Sequence, residues 1–345
     1  MHLLNHIDEI SPAWVNAVLA QSGTLSGDIT DVAYRSIGNG NSSETYQLAL
    51  KYAGQAEGLP KTLILKIHSE NPETAERAGA AGAYRCEHGM AQLLSSLPDL
   101  QVPQFYHSAI SDDGSRANIV MQDLSGLCDA GDQIAGTTAA QAMATIRELL
   151  KLHKRFWNAP ELDEMPWTMD VMQMHYEGAA MIKQRLADRL SSEQLAIIDD
   201  CLPYIDAWLA RVPENRTLIH SDCRADNILF DNSDPEHPKA YLIDWALAAV
   251  GDPMADIAYL ISSSVKTEDR ADCEKQAISY YAGEISKAFP GYTEEVAREA
   301  YRQNVTASIS LTFLAGFTPQ TPDTDLLLET LVRRNCATLK DWLFS

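Results

Sequence analysis

The sequence predicts an α+β protein of two parts. A smaller N-terminal part is built on a five-stranded antiparallel sheet with one helix, and a larger remainder is mostly helical. Three observations predict this. Strand-like runs, several of them alternating apolar and polar, fill much of the first 124 residues. From Thr138 onward the apolar spacing is that of helices. One stretch interrupts the helices: residues 216–256, RTLIHSDCRADNILFDNSDPEHPKAYLIDWALAAVGDPMAD, which holds three short apolar strands.

Taken in order, Ser11-Pro12 opens a helix through about Gln21, with serine as N-cap and proline at the first helical position. ITDVAYRSIG (29–38) alternates as a strand. SSETYQLALKY (42–52) does so again, with Tyr46, Leu48 and Leu50 on one face. The residues between them, Gly38-Asn39-Gly40-Asn41-Ser42-Ser43, are common hairpin-turn types. After a loop at Gly58-Leu59-Pro60, KTLILKIHS places Leu63, Leu65 and Ile67 on one face and Ile64, Lys66 and His68 on the other. A lysine inside an apolar strand is costly unless its charge is paired. Lys66 therefore needs a carboxylate or, on an edge strand, a route to solvent.

The segment Thr74 to Leu97, rich in Ala, Glu and Leu, predicts one helix. Its Glu87 shares an inward face with Tyr84, Met90 and Leu94 and is the candidate partner of Lys66, while Glu76 sits in the first turn. QVPQFYHSAI (101–110) and ANIVMQDL (117–124) complete the sheet. A helix starts at Thr138 and runs through LLKLHKRFW; residues 166–190 and 192–211 predict two more, separated at Leu190-Ser191. After Asp256 the chain predicts DIAYLISSSV, 267–287, 293–316 and 324–343 as helices.

Within 216–256, His220, Asp222, Asn227 and Asp244 each stand at the end of an apolar run, where strands hold side chains rigidly. Asp222 and Asn227 are five residues apart, and Asp244 follows seventeen later. That is the order H-x-D-x-x-x-x-N then a metal-binding Asp, known from protein kinases. Phosphoryl transfer asks for a carboxylate near the attacking hydroxyl, oxygen ligands for magnesium and positive charge at the phosphates. Asp222 is the candidate base or orienting carboxylate, and Asn227 and Asp244 are candidate Mg2+ ligands. Arg224 either neutralises the transferred phosphate or forms a loop salt bridge to Asp226. His220 suits an orienting role better than that of a base.

Together, this stretch and its tail GDPMADIAYL resemble the aminoglycoside phosphotransferase/choline kinase family of small-molecule kinases, including its ecdysteroid-kinase-like branch; LHKRFW is similar to bacterial members of that branch. The resemblance implies a protein kinase-like two-lobe fold: a nucleotide-binding N-lobe at 1–121, a hinge at 122–125 and a helical catalytic and substrate-binding lobe at 126–345. It implies that the turn Gly38, Asn39, Gly40, Asn41, Ser42, Ser43 covers the phosphates of ATP. Lys66, paired with Glu87, would meet the α/β-phosphates, and the backbone of about Gln122 to Leu124 would meet the adenine edge. Asp256 would buttress the catalytic loop, and His153 would be structural. Two departures from protein kinases stand out: the turn lacks a third glycine, and Trp245 replaces phenylalanine. Only twelve positions separate Asp244 from Asp256, too few for a peptide platform, so the acceptor is a small molecule.

Composition bounds the rest. The chain has 345 residues, 46% of them hydrophobic, enough for two lobes with a sizeable core. Its net charge of −21 argues against nucleic acid as a partner. No apolar run reaches the length of a membrane span, and no secretory signal is visible. Six scattered cysteines without a CxxC pair predict a reduced, cytoplasmic protein without structural zinc. Two alternatives accompany the leading one: an antibiotic (aminoglycoside-type) kinase conferring resistance, and a catalytically idle nucleotide-binding module. The presence of Lys66, Asp222, Asn227 and Asp244 together weighs against the second.

Overall fold

Helix α1 (Pro12–Gln21) begins where its cap dictates, with Ser11 Oγ accepting the Trp14 N–H and Pro12 in the first turn. The structure, a computed structural model, describes residues 3–23, 28–39, 42–54, 57–169 and 174–344. The chain divides into two units: Met1–Cys128 with Met165–Met169 and Ile243–Ala248, and the remainder.

In the first unit, β1 (Ile29–Asn39), β2 (Ser43–Tyr52), β3 (Thr62–His68), β4 (Phe105–Ile110) and β5 (Ala117–Gln122) form one antiparallel sheet in the order β1-β2-β3-β5-β4. Leu48 and Leu50 of β2, Leu63, Leu65 and Ile67 of β3 and Val120 of β5 share a buried core with Trp14, Val15, Val18 and Leu19 of α1. The period-2 pattern thus puts Lys66 on the opposite face of β3 from that core.

The single helix expected over 74–97 is two: α2 (Pro72–Ala81), capped by the Asn71 side chain, and α3 (Ala83–Leu94). Gly82, at φ +88°, ends one and begins the other in the left-handed conformation that glycine adopts without strain. Alanine-rich flanks on both sides hide that break from a propensity sum.

The second unit is helical around α8 (Pro253–Ser264), all twelve residues of which are buried. Its other elements, in chain order, are β6 (Asp129–Ala130), α4 (Ala139–Arg155), α5 (His175–Arg185), α6 (Ser192–Asp200), α7 (Leu202–Ala210), β7 (Thr217–Ile219), β8 (Ile228–Asp231), β9 (Lys239–Leu242), β10 (Ala249–Gly251), α9 (Thr267–Ser286), α10 (Glu294–Ala315) and α11 (Pro322–Leu343). Helices α4, α9, α10 and α11 pack on α8. Two expectations are corrected. The helix placed at 166–190 starts only at His175, since 165–169 belongs to the first unit, and that placed at 192–211 breaks at Cys201 because Pro203 opens a new first turn. Strands β6 and β10, which pair with β8 and β7, were not predicted; at two and three residues they carry no period.

Close packing leaves no room for a side chain at Gly178. A Cβ at Gly178 of α5 would lie 2.4 Å from the Phe313 carbonyl oxygen of α10, whereas Gly283 of α9 faces open space. Gly178→Ala should destabilise the protein by about 1–3 kcal/mol. Gly283→Ala should instead stabilise it, by about 0.5–1 kcal/mol. Urea unfolding of the two variants beside the wild type checks both signs.

Candidate active site

Each unit presents one cluster of the expected residues. In the first, Lys66 is 9% exposed, and its Nζ donates to Glu87 Oε1 at 2.6 Å and to Asp244 Oδ1 at 2.9 Å. Burial works against the ammonium charge, but the carboxylates of Asp244 and Glu87 outweigh it and hold Lys66 well above the ordinary lysine range. Burial pushes Glu87 up, against the pull of Lys66. Asp244 sits at φ +60°, unusual for a residue with a Cβ, and such conformations persist where surrounding structure fixes them. Here the Cys86 Sγ of α3 lies 3.3 Å from both the Trp245 and Ala248 carbonyls, tying that segment to the helix of Glu87.

Gly38 and Asn39 end β1, and Ser42 and Ser43 lead into β2; Gly40 and Asn41 lie outside the described residues. Gln122 closes β5 opposite Leu63, its N–H donating to the Gln104 carbonyl at 2.7 Å. The buried Leu124 follows, and its carbonyl accepts the N–H groups of Leu127 and Cys128 in a turn.

The second unit holds the loop after β7. The N–H groups of His220 and Ser221 donate to the two carboxylate oxygens of Asp256 at 2.7 and 2.8 Å, which lets Ser221 keep φ +64°. Asp256, fully buried on α8, also meets His153 Nε2 at 3.2 Å, and the other ring nitrogen of His153 meets the Tyr281 hydroxyl at 2.9 Å. Asp256→Asn leaves one of these donors without an acceptor. It should cost about 1.5–3 kcal/mol in denaturant unfolding.

That loop delivers Asp222. Tyr259 donates its hydroxyl to Asp222 Oδ1 at 3.0 Å, and Asn227 Nδ2 donates to Asp222 Oδ2 at 2.8 Å and to its carbonyl at 2.9 Å. Burial, then the Asp222 charge, raises Tyr259 well above the usual tyrosine range, so it remains a donor. With the Asn227 amide nitrogen committed to Asp222, Oδ1 is its acceptor end. The Asp222 side chain keeps 18% exposure, enough for a small group to reach. Arg224 forms the loop ion pair: Nη1 meets Asp226 at 2.7 Å and Nε meets Asp222 at 3.3 Å. Gln133 supports it, with its N–H on Asp226 at 2.8 Å and its Oε1 3.4 Å from Arg224.

So Asp222, Arg224 and Asn227 meet in one unit, and Lys66, Glu87 and Asp244 meet in the other. Sequence reasoning missed Tyr259 and Gln133. Tyr259 had a signal, lying three residues after Asp256 on one helix face. Gln133, in a polar loop, had none.

The phosphotransferase enzyme family model (APH) matches residues 33–294, and the chain belongs to this family of small-molecule kinases. Similar solved structures include a choline kinase from Cryptosporidium parvum Iowa II, at 11% identity and TM-score 0.58 over 97% of this chain and 100% of that one. The GDP and kanamycin complex of APH(2'')-IIia has 16% identity and TM-score 0.55 over 95% and 99%. A Plasmodium vivax ethanolamine kinase has 12% and 0.54 over 93% and 87%. At such identities the likeness shows the fold, here the protein kinase-like one. A Homo sapiens curated relative, acyl-CoA dehydrogenase family member 11, is 26% identical over 158 residues, 41% of this chain but 18% of that protein. Its Pongo abelii counterpart is 32% identical over 92 residues, 24% and 11%.

Proposed function

We propose that the protein transfers the γ-phosphate of ATP to a hydroxyl of a small molecule. The observation that carries this is Asp222, held at both carboxylate oxygens by Tyr259 and Asn227 in a loop that Asp256 braces. A carboxylate so fixed can accept a hydroxyl proton without reorganising. Lys66, oriented by Glu87, supplies positive charge to the α/β-phosphates, and the turn Gly38 to Ser43 covers them. The backbone from Gln122 to Leu124 receives the adenine edge, and Arg224 balances charge beside Asp222.

The donor set suits magnesium. Asp244, its side chain 39% exposed, and the Oδ1 of Asn227 are hard oxygens, and magnesium takes few of these while keeping waters. Among the described residues no group of three or more His, Cys, Asp or Glu is placed to hold a metal. When bound, the ion offsets phosphate charge. None of the six buried cysteines is in a disulfide, which suits a reducing compartment, and we place the protein in the cytoplasm. Among the described residues no helix is long and apolar enough to cross a membrane.

The test is ADP release from Mg-ATP across pooled acceptors: aminoglycosides, macrolides, choline-like amines, sugars, sterols and hydroxy acids. Acceptor-dependent release names the substrate class, with the aminoglycoside pool reporting on a resistance enzyme. Magnesium-dependent ATP binding with silence in every pool favours an idle module, and no ATP binding overturns the proposal.

A further inference from the structure

Three segments of the first unit meet at one phenol. Tyr84, in the first turn of α3, is 2% exposed; its hydroxyl donates to the Ser42 carbonyl at 2.5 Å and accepts the Ser69 N–H at 3.2 Å. The ring stands edge-on to His68, with centroids 6.4 Å apart, and packs with Ala78, Ala83, Ala117 and Ala246. Most of these contacts reach elements with a role in the proposed site. Ser42 closes the turn expected over the phosphates, and His68 and Ser69 end the strand of Lys66. Ala246 lies two residues beyond Asp244, and Glu87 lies one helical turn along from Tyr84 itself.

We propose that Tyr84 is a positioning residue for the nucleotide's phosphates, its hydroxyl fixing the end of the 38–43 turn to the strand and helix that carry Lys66 and Glu87. The inference rests on the phosphotransferase reading of this site. In a trans peptide the C=O and N–H point in opposite directions, so holding the Ser42 carbonyl also fixes the direction of the Ser43 N–H. The Ser43 hydroxyl is buried beside it with no hydrogen-bond partner among the described residues, a second donor at the same end of the turn. Ser43 stands opposite His68 in the ladder, so the tether and the strand pairing act on one residue. Burial raises the Tyr84 hydroxyl above the ordinary tyrosine range, so it stays a donor at working pH.

Tyr84→Phe keeps the ring and its packing and removes both hydrogen bonds. The dissociation constant for ATP should rise about tenfold, the scale of one buried hydrogen bond, while that for adenosine stays within about twofold. The nucleotide KM should rise with it and kcat should hold. A general packing role would weaken ATP and adenosine alike, and no role would weaken neither; either result overturns the inference. Amide exchange at Ser43 to Thr45 in the nucleotide-free chain gives a second readout. It should be faster in the variant, and unchanged exchange contradicts the tether. If the wild type binds ATP no better than adenosine, the proposed function falls first and this inference with it.

Discussion

Asp222→Asn lowers turnover by about 10²–10⁴-fold, the range for losing a positioned acid or base, and leaves Mg-ATP affinity within a few-fold. The substitution is nearly isosteric. An asparagine can turn its Oδ1 toward the Asn227 amide and its NH2 toward the Tyr259 oxygen, so both side-chain contacts survive with polarity adjusted. What is lost is the negative charge that accepts a proton. Steady-state kinetics with a responsive acceptor, beside calorimetric nucleotide titration, separates the two effects. Unchanged turnover would remove Asp222 from the chemistry; a parallel loss of nucleotide binding would mean a disturbed loop.

Lys66→Met has two large effects of different origin. Turnover should fall by about 10²–10³-fold through loss of charge at the phosphates. Stability should fall by about 3–5 kcal/mol, because Glu87 is left buried without its cation. The two are separable by pH. The folded Lys66 titrates above its unfolded value, so its contribution is complete below the unfolded lysine pKa, hence throughout the neutral range, and is lost only as pH rises through the raised folded value. In the variant Glu87, already raised by burial, loses the one group that pulled it down. A carboxyl whose folded pKa lies above its unfolded one destabilises as pH rises, so the stability deficit should be smaller near about pH 5 than near about pH 8. The turnover deficit should persist at both. Equal stability deficits at the two pH values would contradict the account of Glu87.

Much of this was legible in the sequence, for reasons that name its limits. The strands of the first unit announce themselves by period 2, and Lys66 is conspicuous because charge within an apolar strand demands a partner. The kinase resemblance asked for a helix glutamate, helix phase chose Glu87 over Glu76, and Lys66 and Glu87 are paired in the structure. The second partner, Asp244, stands 178 residues away in the chain, and nothing local to either residue encodes that approach. Breaks within helical stretches were the commonest miss. Gly82 and Pro203 each end a run whose flanks favour helix, and residue-by-residue propensity cannot tell a tolerated glycine from a left-handed cap. Asp256 was expected to brace the loop through the family resemblance. Its two backbone donors and the His153–Tyr281 support behind it exist only in the folded packing of α4, α8 and α9.

The most direct test of the central claim follows the phosphate itself. ATP labelled in its γ-phosphate is mixed in a single turnover with the wild type, magnesium and the acceptor pool that releases ADP. Label should appear on the acceptor hydroxyl at the rate of ADP appearance, and at least about 10²-fold more slowly in Asp222→Asn. Label appearing only as free phosphate, or transfer at the same rate in that variant, would contradict the claim.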